Sequence, residues 1–438
     1  MDLILKQADL TGTVQIPASK SVAHRAYICA ALAAALSATP TDIICNSDSI
    51  DIQATRNCLN TLSRALSGKS LPELVLDCRE SGSTLRFLLP LACVLTDKLE
   101  QPIQFTGADY LAKRPLSPLL EELCAHGADI RFSGSFPLIV SGGLTPGSYT
   151  LPGNISSQYI SGLLLALPLL SGDSEIHITG TRESASYIGL TLDMQRIFGI
   201  RITETDYGYF VPGNQAYLSP GTLTIEADWS SAAFWLVAGA IGTTAPVLTG
   251  LSPDSAQGDR AVLRILESFG AKILQTDAGI TLEKPTVLHG TVVDASDVPD
   301  LIPVLAVAAA HAEGKTEFIN AGRLRIKESD RIVSTEELLQ RLGIRTESTQ
   351  DTLTVYGTTS GANPVSASAP LLSDSVAPDT EPIAVRSFND HRIAMSAAVA
   401  ATISTRPLLL SRAEAVSKSY PTFYEHYKSL GGRMETLR

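Results

Sequence analysis

A pattern of an amphipathic helix followed by a glycine recurs along the chain and restricts it to a repeated architecture. In each copy, apolar residues at helical spacing precede a glycine suited to the left-handed conformation, and a short strand follows. The clearest copies end at Gly127, Gly199, Gly270, Gly343 and Gly431, and a weaker one ends near Gly68. Successive intervals of 72, 71, 73 and 88 residues fit six units of about 73 residues in a chain of 438. The spacing predicts a sixfold α/β array rather than one doubly wound sheet.

The longest interval contains a segment of different composition. Residues 357–382 are rich in Ser, Ala, Thr, Pro and Gly and show no hydrophobic period. We expect this segment to be an inserted mobile surface loop. A boundary near residues 219–227 would divide the copies three and three. The expected domains are residues 18–225 and residues 1–17 with 226–438, the latter closed by the N-terminal strand.

Charge and cysteine content limit the possible partners. The chain carries 34 Lys+Arg and 45 Asp+Glu, a formal charge of -11, which disfavours broad binding to nucleic acid or an anionic membrane. No secretory leader pattern and no apolar run long enough to span a bilayer is visible, so we expect a cytoplasmic protein. The six cysteines include no C-x-x-C pair, and we expect no metal site.

Five predicted helices begin at cations or clustered hydroxyls. A helix N-terminus carries partial positive charge and unpaired N–H groups, so Lys and Arg are unfavourable there unless an anion binds. The five starts are Ser19-Lys20-Ser21 with Arg25, Ser81-Gly82-Ser83-Thr84 with Arg86, Ser156-Ser157-Gln158, Lys327 with Arg331, and His391-Arg392. Ordinary N-caps and solvated side chains would explain one such start. Five in one chain favour a site for phosphate or carboxylate groups.

Carboxylates accompany these cations. Asp300 precedes an apolar helix, and Glu328 lies beside Lys327 in a segment that we interpret as helical, with positions 327, 330 and 331 on one face. The alternatives are an ordinary N-cap for Asp300 and a salt-bridged surface helix for the second segment.

The motifs S-K-S-x-x-x-R, G-S-T-x-R, K-R-P, S-S-Q, K-E-S-D-R, N-D-H-R and K-S-Y-P occur in this order over nearly the whole chain. In this, the chain resembles the 5-enolpyruvylshikimate-3-phosphate synthase family. The resemblance implies the α/β, two-domain enolpyruvyl transferase fold, an inside-out α/β barrel. Each domain would hold three βαβαββ repeats, with helix N-termini facing an interdomain cleft that forms the active site.

The resemblance also implies the reaction. The enolpyruvyl group of phosphoenolpyruvate would pass to the 5-hydroxyl of shikimate 3-phosphate by addition and elimination through a tetrahedral intermediate, with release of phosphate. This is a step of the shikimate pathway to aromatic amino acids. No metal or organic cofactor is implied, and we expect a monomer whose partners are these two small molecules.

Residue roles follow from the same resemblance. Asp300 would be the base near the 5-hydroxyl, and Glu328 and Lys20 are the candidates for proton delivery to the methylene of phosphoenolpyruvate. The residues implied for shikimate 3-phosphate are Lys20, Ser21, Arg25, Ser156, Ser157, Gln158, Ser184, Asp300, Arg323 and Lys327. Those implied for phosphoenolpyruvate are Lys20, Gly82, Arg114, Gln158, Arg331, Arg392 and Lys418.

Four positions depart from the usual pattern of the family. Ala18, Glu80, Ser83 and Arg323 stand where it often has Gly, Asn, Thr and Asn, respectively. A carboxylate at Glu80 would repel phosphoenolpyruvate unless it is paired, and Arg79 and Arg86 are the expected partners.

Two alternatives stay open. The related UDP-N-acetylglucosamine enolpyruvyl transferases usually carry a cysteine in an active-site loop where this chain has Asp109, and Lys-Asn where it has Lys20-Ser21. A non-catalytic anion sensor of the same fold would gain nothing from carboxylates such as Asp300 among its cations.

Overall fold

The computed structural model describes residues 1–69, 71–99, 101–283, 287–357 and 381–437. The segment expected to be an inserted loop lies outside these residues, except for its edges at 357 and 381–382. The chain divides into two compact units. Unit 1 comprises Met1–Pro17 and Glu226–Arg438, and unit 2 comprises Ala18–Ile225. Across the described residues, none of the helices combines the length and apolar content needed to cross a bilayer.

Helices and strands alternate along the chain. The strands are β1 (Asp2–Lys6), β2 (Thr13–Gln15), β3 (Asp42–Ile44), β4 (Leu74–Asp77), β5 (Ile103–Thr106), β6 (Asp129–Arg131), β7 (Leu138–Ser141), β8 (Ser148–Pro152), β9 (Ser174–Thr179), β10 (Thr203–Thr205), β11 (Gly208–Val211), β12 (Thr222–Thr224), β13 (Val247–Thr249), β14 (Lys272–Thr276), β15 (Gly279–Glu283), β16 (Val292–Asp294), β17 (Lys315–Ile319), β18 (Arg345–Ser348), β19 (Leu353–Tyr356), β20 (Ile383–Arg386), β21 (Leu408–Ser411) and β22 (Arg433–Leu437). The α-helices are α1 (Lys20–Ser37), α2 (Ile50–Leu66), α3 (Gly82–Leu99), α4 (Asp109–Ala112), α5 (Leu119–Ala125), α6 (Ser157–Ala166), α7 (Ala185–Ile197), α8 (Trp229–Ile241), α9 (Val262–Ser268), α10 (Ile302–His311), α11 (Arg331–Arg341), α12 (His391–Ala401) and α13 (Phe423–Ser429). Short 3₁₀ helices span Leu167–Leu169, Gly258–Ala261, Gly322–Ile326 and Ala413–Lys418.

Five four-stranded sheets share one topology. In unit 2 their strand orders are β4-β5-β7-β6 and β10-β11-β9-β8, and in unit 1 they are β14-β15-β13-β2, β16-β17-β19-β18 and β20-β21-β1-β22. In each, two parallel strands are joined to an antiparallel pair, which is the βαβαββ repeat. The N-terminal segment completes two sheets of unit 1, because β2 pairs with β13 and β1 lies between β21 and β22.

The sixth repeat is shorter. It consists of α1, β3 and α2 with β12, which pairs in parallel with β3 in a two-stranded sheet. Only residues 69–73 separate Gly68 from β4, which opens the next sheet, and this is too short for a two-stranded hairpin. The repeat that ends at Gly68 is therefore weak in the sequence because it lacks its last two strands.

The glycines that end the repeats adopt the predicted conformation. The φ angles are +76° at Gly68, +106° at Gly127, +81° at Gly199, +96° at Gly270, +80° at Gly343 and +104° at Gly431. Residues with a Cβ atom rarely adopt this left-handed region, which lets the chain leave the helix and enter the next strand. The sixfold pattern read from the sequence is confirmed at all six positions.

Helices form the centre of each unit. Every residue of α8 and α12 is buried, whereas strands such as β1 and β8 bury alternate residues. In unit 1, α8, α10 and α12 contact one another, and in unit 2, α3 contacts α2 and α6. A helix that is apolar on all sides needs neighbours all round, whereas a sheet can bury one face. The sequence pattern therefore places helices inside and sheets outside in each unit.

Candidate active site

Five helices begin at or beside the predicted cations and hydroxyls, one of them at Arg331 rather than at Lys327. Helices α1, α3, α6, α11 and α12 begin at Lys20, Gly82, Ser157, Arg331 and His391, respectively. Four of them are capped by a preceding side chain, and in α3 the cap is Ser81 Oγ, which accepts from the backbone N–H of Thr84. The oxygens of Ser156, Asp330 and Asp390 accept hydrogen bonds from the backbone N–H groups of Gln158, Ile332 with Val333, and Arg392.

The helical interpretation of residues 327–331 is wrong. A 3₁₀ helix ends at Ile326, Lys327 is extended at ψ -154°, and α11 begins only at Arg331. The cause is Asp330, whose side chain occupies the N-cap and so fixes the helix start after Lys327. The alternative of a surface helix also fails for Arg331, because its side chain is only 1% exposed.

Arg331 is the centre of a group of charged side chains in unit 1. Its Nη1 lies 2.7 Å from Asp300 Oδ1, and its Nη2 lies 2.8 Å from Glu328 Oε2. Its Nε lies 2.8 Å from Asp390 Oδ2. Burial opposes the charge on Arg331, but the carboxylates of Asp390, Glu328 and Asp300 outweigh it and hold the pKa above its ordinary value. We call Asp300, Lys327, Glu328, Arg331, Asp390 and Arg392 the unit 1 cluster.

Asp300 contacts three cations of this cluster. Besides Arg331, Arg392 Nη2 lies 3.2 Å from its Oδ2 and Lys327 Nζ lies 3.7 Å from its Oδ1. Burial would raise the pKa of Asp300, but Arg392, Lys327 and Arg331 bring it well below the ordinary value. The side chain is 22% exposed, whereas that of Asp390 is fully buried. Asp300 is therefore an ionised carboxylate that solvent can reach.

Lys327 has a shifted pKa as well. Burial lowers the pKa of Lys327 to about 8. The charge of Asp300 opposes this shift, whereas the charges of Arg323 and Arg331 add to it. Such a lysine can lose and regain its proton near neutral pH.

Arg392 and Lys418 are buried at the start of α12 and the end of the following 3₁₀ helix. The guanidinium of Arg392 lies 6.0 Å from the centre of the Phe234 ring. Lys418 Nζ donates to the carbonyl of Asn389 at 2.5 Å. Both predicted cations are thus held at the N-terminal end of α12.

Two further carboxyl groups lie near the start of α8, and sequence reasoning gave them no role. Ser231 Oγ donates to Asp228 Oδ2 at 2.6 Å, and the hydroxyl of Ser230 donates to Asp259. Burial, with the charge of Asp300, raises the pKa of Asp259 to about 7. Asp228 directly precedes α8, whose apolar sequence is a usable signal, but nothing local distinguishes Asp259.

In unit 2, Lys20 pairs with a carboxylate that the sequence did not single out. Its Nζ lies 2.8 Å from Asp51 Oδ2, and both side chains are largely buried. Asp51 stands in the first turn of α2, which Ser49 caps through the N–H of Ile52. The signal was another polar helix start.

Arg25 is bound by neutral groups. Its Nε donates to Thr191 Oγ1, its Nη1 to the carbonyl of Ser21 and its Nη2 to the carbonyl of Tyr187, each at 2.7 Å. Its guanidinium also lies 4.9 Å from the centre of the Phe87 ring. Burial lowers the pKa of Arg25 to about 10, so it remains charged at neutral pH.

The starts of α3 and α6 are joined through Gln158. Arg86 Nη1 donates to Gln158 Oε1 at 3.1 Å, and Gln158 Nε2 donates to Ser83 Oγ at 2.9 Å. A Cβ added to Gly82 would lie 2.6 Å from Nη1 of both Arg86 and Arg114. Glycine therefore leaves room where two guanidinium groups approach a helix N-terminus, an arrangement suited to an anion. We call Lys20, Arg25, Asp51, Gly82, Arg86, Arg114 and Gln158 the unit 2 cluster.

The remaining predicted residues occupy helix starts or adjoining turns. Ser21 and Ser157 lie in the first turns of α1 and α6. Ser184 precedes α7 at φ 52° and is buried, and Arg323 lies in the 3₁₀ helix before Lys327. Ser21, Ser157 and Ser184 therefore belong to unit 2, like the unit 2 cluster, and Arg323 belongs to unit 1, like the unit 1 cluster.

The pairing expected for Glu80 stays a prediction. Arg79 Nη1 donates to Gln53 Oε1 at 3.1 Å, and Arg86 donates to Gln158 and to the carbonyl of Pro115. Among the described ranges, no group of three or more His, Cys, Asp and Glu side chains is placed to hold a metal ion.

Comparison with known proteins identifies the family. The family model for EPSP synthase (3-phosphoshikimate 1-carboxyvinyltransferase) matches residues 4–427. The 3-phosphoshikimate 1-carboxyvinyltransferase of Clostridium kluyveri is 40% identical over 443 residues, which cover 97% of this chain and 96% of that protein. That of Clostridioides difficile is 39% identical over 454 residues, with the same coverage.

Solved structures agree with this. EPSP synthase from Acinetobacter baumannii superposes with a TM-score of 0.75 at 25% identity, over 99% of this chain and 100% of that one. An enolpyruvyl transferase from Streptomyces tendae shares the fold at 18% identity, with a TM-score of 0.71 over 99% and 98% of the chains. The enolpyruvyl transferase fold expected from the motifs is confirmed. With full-length relatives at about 40% identity and charged helix starts in both units, the chain belongs to the EPSP synthase family.

Proposed function

We propose that this chain transfers the enolpyruvyl group of phosphoenolpyruvate to the 5-hydroxyl of shikimate 3-phosphate, releasing phosphate. The product, 5-enolpyruvylshikimate 3-phosphate, continues in the shikimate pathway to aromatic amino acids. The observation that carries the proposal is Asp300, an ionised and partly exposed carboxylate held by Arg331, Arg392 and Lys327. In a protein that only binds polyanions, this carboxylate would lower the affinity for them. A reaction that removes a hydroxyl proton needs such a carboxylate as the base.

The cations of both clusters would bind the anionic groups of the two substrates. Each substrate carries a phosphate and a carboxylate, which suit guanidinium groups and helix N-termini. For shikimate 3-phosphate we propose Lys20, Ser21, Arg25, Ser156, Ser157, Gln158, Ser184, Asp300, Arg323 and Lys327. For phosphoenolpyruvate we propose Lys20, Gly82, Arg114, Gln158, Arg331, Arg392 and Lys418, to which the approach at Gly82 adds Arg86.

The proposed chemistry has two stages. In the addition, a proton goes to the methylene carbon of phosphoenolpyruvate, the 5-oxygen bonds to C2, and the hydroxyl proton passes to Asp300. In the elimination, a proton leaves the new methyl group and the bond from C2 to the phosphate oxygen breaks. Lys20 and Glu328 are the proposed groups for proton transfer at this carbon, because an ammonium can supply the proton of the addition and a carboxylate can accept that of the elimination.

Phosphate release tests the proposal. Purified protein is mixed with phosphoenolpyruvate and either shikimate 3-phosphate, UDP-N-acetylglucosamine or no acceptor. We expect release with shikimate 3-phosphate alone. Release with the nucleotide sugar alone would favour the related transferase, and tight binding of shikimate 3-phosphate without turnover would favour an anion sensor.

We also propose that the protein acts as a monomer in the cytoplasm, without nucleic acid or membrane partners. The formal charge of -11 supports the last point, since phosphate backbones and anionic lipids would repel it. Sedimentation at the mass of one chain is expected, and a dimer at assay concentrations would contradict it.

A further inference from the structure

A chain of buried hydrogen bonds joins three helix starts in unit 2. His24 Nδ1 on α1 lies 2.7 Å from Thr55 Oγ1 on α2, which lies 2.7 Å from Thr84 Oγ1 on α3. Thr84 Oγ1 then donates to Ser81 Oγ at 2.7 Å. All four side chains are between 0% and 1% exposed. We call these four residues the hydroxyl brace.

The hydrogen bonds of the hydroxyl brace all have their donors on the same side, pointing from His24 toward Ser81. The hydroxyl of Thr84 uses its one proton toward Ser81, so its oxygen must accept from Thr55. The hydroxyl of Thr55 is then committed to Thr84, and its oxygen must accept from an N–H at Nδ1 of His24. The direction of these hydrogen bonds therefore assigns the Nδ1–H tautomer to His24.

The surroundings keep His24 neutral. Burial, with the charges of Lys20 and Arg25, lowers the pKa of His24 well below its ordinary value. Its Nε2 is buried without a hydrogen-bond partner in the described part of the chain. A bare ring nitrogen fits this place better than an N–H, whose donor would be lost. The electrostatics and the direction of the brace thus agree on one tautomer.

The hydroxyl brace lies one helical turn below the Lys20–Asp51 pair. Lys20 and His24 are four residues apart on α1, and Asp51 and Thr55 are four apart on α2, so each pair shares a helix face. The contacts Lys20–Asp51 at 2.8 Å and His24–Thr55 at 2.7 Å are consecutive bridges between the same two faces. Thr84 extends the connection to α3, whose first residue is Gly82.

We propose that Thr55 and Thr84 are positioning residues that hold the Lys20 ammonium at a fixed place relative to the N-terminus of α3 at Gly82. The inference rests on the proposed function, in which Lys20 and Gly82 bind phosphoenolpyruvate. Neither threonine touches substrate in this scheme. They act through α1 and α3, because Thr84 Oγ1 and Thr84 N both bond to Ser81, the residue before Gly82.

A purely stabilising role fits the hydroxyl brace less well. Buried hydrogen bonds between neutral groups add little net stability compared with apolar packing of the same volume. They do impose one arrangement, and threonine holds it with few rotamers. Misplacing a reacting group by about 1 Å can cost about a hundredfold in rate. The expected benefit of the brace is therefore seen in catalysis rather than in the free energy of unfolding.

Isosteric variants test this inference. Thr55→Val and Thr84→Val keep the shape but remove the hydroxyl, and Thr55→Ser and Thr84→Ser keep the hydroxyl. Thr335→Val is the matched control, because Thr335 is a helix residue of unit 1 that is fully buried, and its hydroxyl has no partner among the described residues. We expect kcat/KM for phosphoenolpyruvate to fall about tenfold or more in the Val variants and to stay within about threefold of wild type in the Ser variants and the control.

The outcomes are distinct. Val variants with the kinetics of the control, whatever their Tm, would overturn the inference. If Thr55→Val does not fold, Thr84→Val decides, since it leaves the His24–Thr55 bond in place.

A spectroscopic measurement on the wild-type protein needs neither a variant nor turnover. The ¹⁵N shifts of His24 should show the neutral Nδ1–H tautomer over the range from pH 6 to 8. In the Nε2–H tautomer, Nδ1 would accept the hydroxyl proton of Thr55, which would leave the Thr55–Thr84 contact without a donor and overturn the inference. A wild type that releases no phosphate would instead refute the proposed function, so the two failures can be told apart.

Discussion

Both units gather the N-termini of several helices, but they neutralise the cations there with different groups. In unit 1, the guanidinium of Arg331 contacts three carboxylates. In unit 2, the guanidinium of Arg25 is bound by a hydroxyl and two carbonyls, and Lys20 contacts the carboxylate of Asp51. The repeat explains why charged helix starts recur in both units, and the choice of partners explains how the units can differ in task.

The difference concerns protons. In unit 1, the pKa of Asp300 is lowered by its cations, and burial brings the pKa of Lys327 to about 8 and that of Asp259 to about 7. In unit 2, burial lowers the pKa of Arg25 only to about 10. We infer that unit 1 supplies most of the groups that exchange protons, whereas unit 2 supplies mainly fixed positive charge, with Lys20 as the exception.

The largest effect is expected for Asp300→Asn. This variant keeps the size of the side chain but cannot accept the hydroxyl proton, so kcat should fall by about 10²- to 10⁴-fold. Because a negative charge leaves a group of cations, the Kd of shikimate 3-phosphate should stay the same or decrease. Steady-state kinetics and calorimetric titration measure the two effects separately.

The control for Asp300 is Asp277→Asn, in the exposed turn between β14 and β15. This control variant should leave both kcat and the Kd of shikimate 3-phosphate unchanged. Weaker binding of shikimate 3-phosphate with unchanged kcat in Asp300→Asn would leave Asp300 as a binding group without a part in proton transfer and remove the proposed division between the units.

The next effect concerns stability. Asp390 is fully buried, contacts Arg331 and Ser329, and caps α12. Asp390→Ala leaves a buried guanidinium short of a partner, so the free energy of unfolding should fall by about 3–5 kcal/mol. Urea denaturation followed by circular dichroism measures it.

The pair of exposed Arg386 and half-buried Glu337 provides the contrast for Asp390. Glu337→Ala should cost only about 0–1 kcal/mol, because water and salt screen such pairs. Equal losses of unfolding free energy in the two variants would mean that the buried carboxylates of unit 1 stabilise the fold no more than a surface ion pair does.

Substrate anions should depend on both units. Arg114→Ala in unit 2 and Arg392→Ala in unit 1 each remove a proposed charged contact, so the Kd of phosphoenolpyruvate should rise about 10- to 100-fold in each. Fluorescence titration in the presence of shikimate 3-phosphate measures this, with the exposed Arg131→Ala as the control. An unchanged Kd in both variants would contradict the proposed phosphoenolpyruvate contacts, and a change in one would assign that substrate to a single unit.

The smallest effect is a dependence on pH. An unfolded Asp titrates near pH 4, whereas buried Asp259, beside Ser230 and facing Asp300, Arg392 and Asp228, has a pKa of about 7. The folded chain then holds this proton more tightly, so its contribution to the free energy of unfolding falls as the pH rises from about 4 to 7. The stability of Asp259→Asn relative to wild type should therefore increase by about 1 kcal/mol between pH 6 and 7.

Denaturation at both pH values measures the effect of Asp259, with Asp277→Asn as the control. A pH-independent difference for Asp259→Asn would show that this carboxyl is ionised in the folded protein throughout the range.

Local patterns in the sequence were enough to predict the repeats and the helix starts. Capping and helical periodicity act within a few residues, so Lys20, Gly82 and His391 could be placed at N-termini without knowledge of the fold. The motifs gave the family and the proposed site residues.

The partners of these residues could not be predicted in the same way. Arg331 and Asp390 are 59 positions apart, and nothing in either segment specifies their bond. The extended backbone at Lys327 does not follow from the sequence, because Asp330 fits the polar face of a helix as well as an N-cap. Asp51, Asp259 and the hydroxyl brace likewise depend on helices that only the folded repeats bring together.

Deuterium incorporation tests the central claim, enolpyruvyl transfer by addition and elimination, most directly. In D₂O, the acid that protonates the methylene of phosphoenolpyruvate carries a deuteron, which gives a CH₂D group, and the elimination then removes H or D from it. We expect 5-enolpyruvylshikimate 3-phosphate whose vinyl methylene contains deuterium, detected by mass spectrometry and proton NMR. Product without deuterium at that carbon, or no product from wild-type protein with both substrates, would contradict the claim.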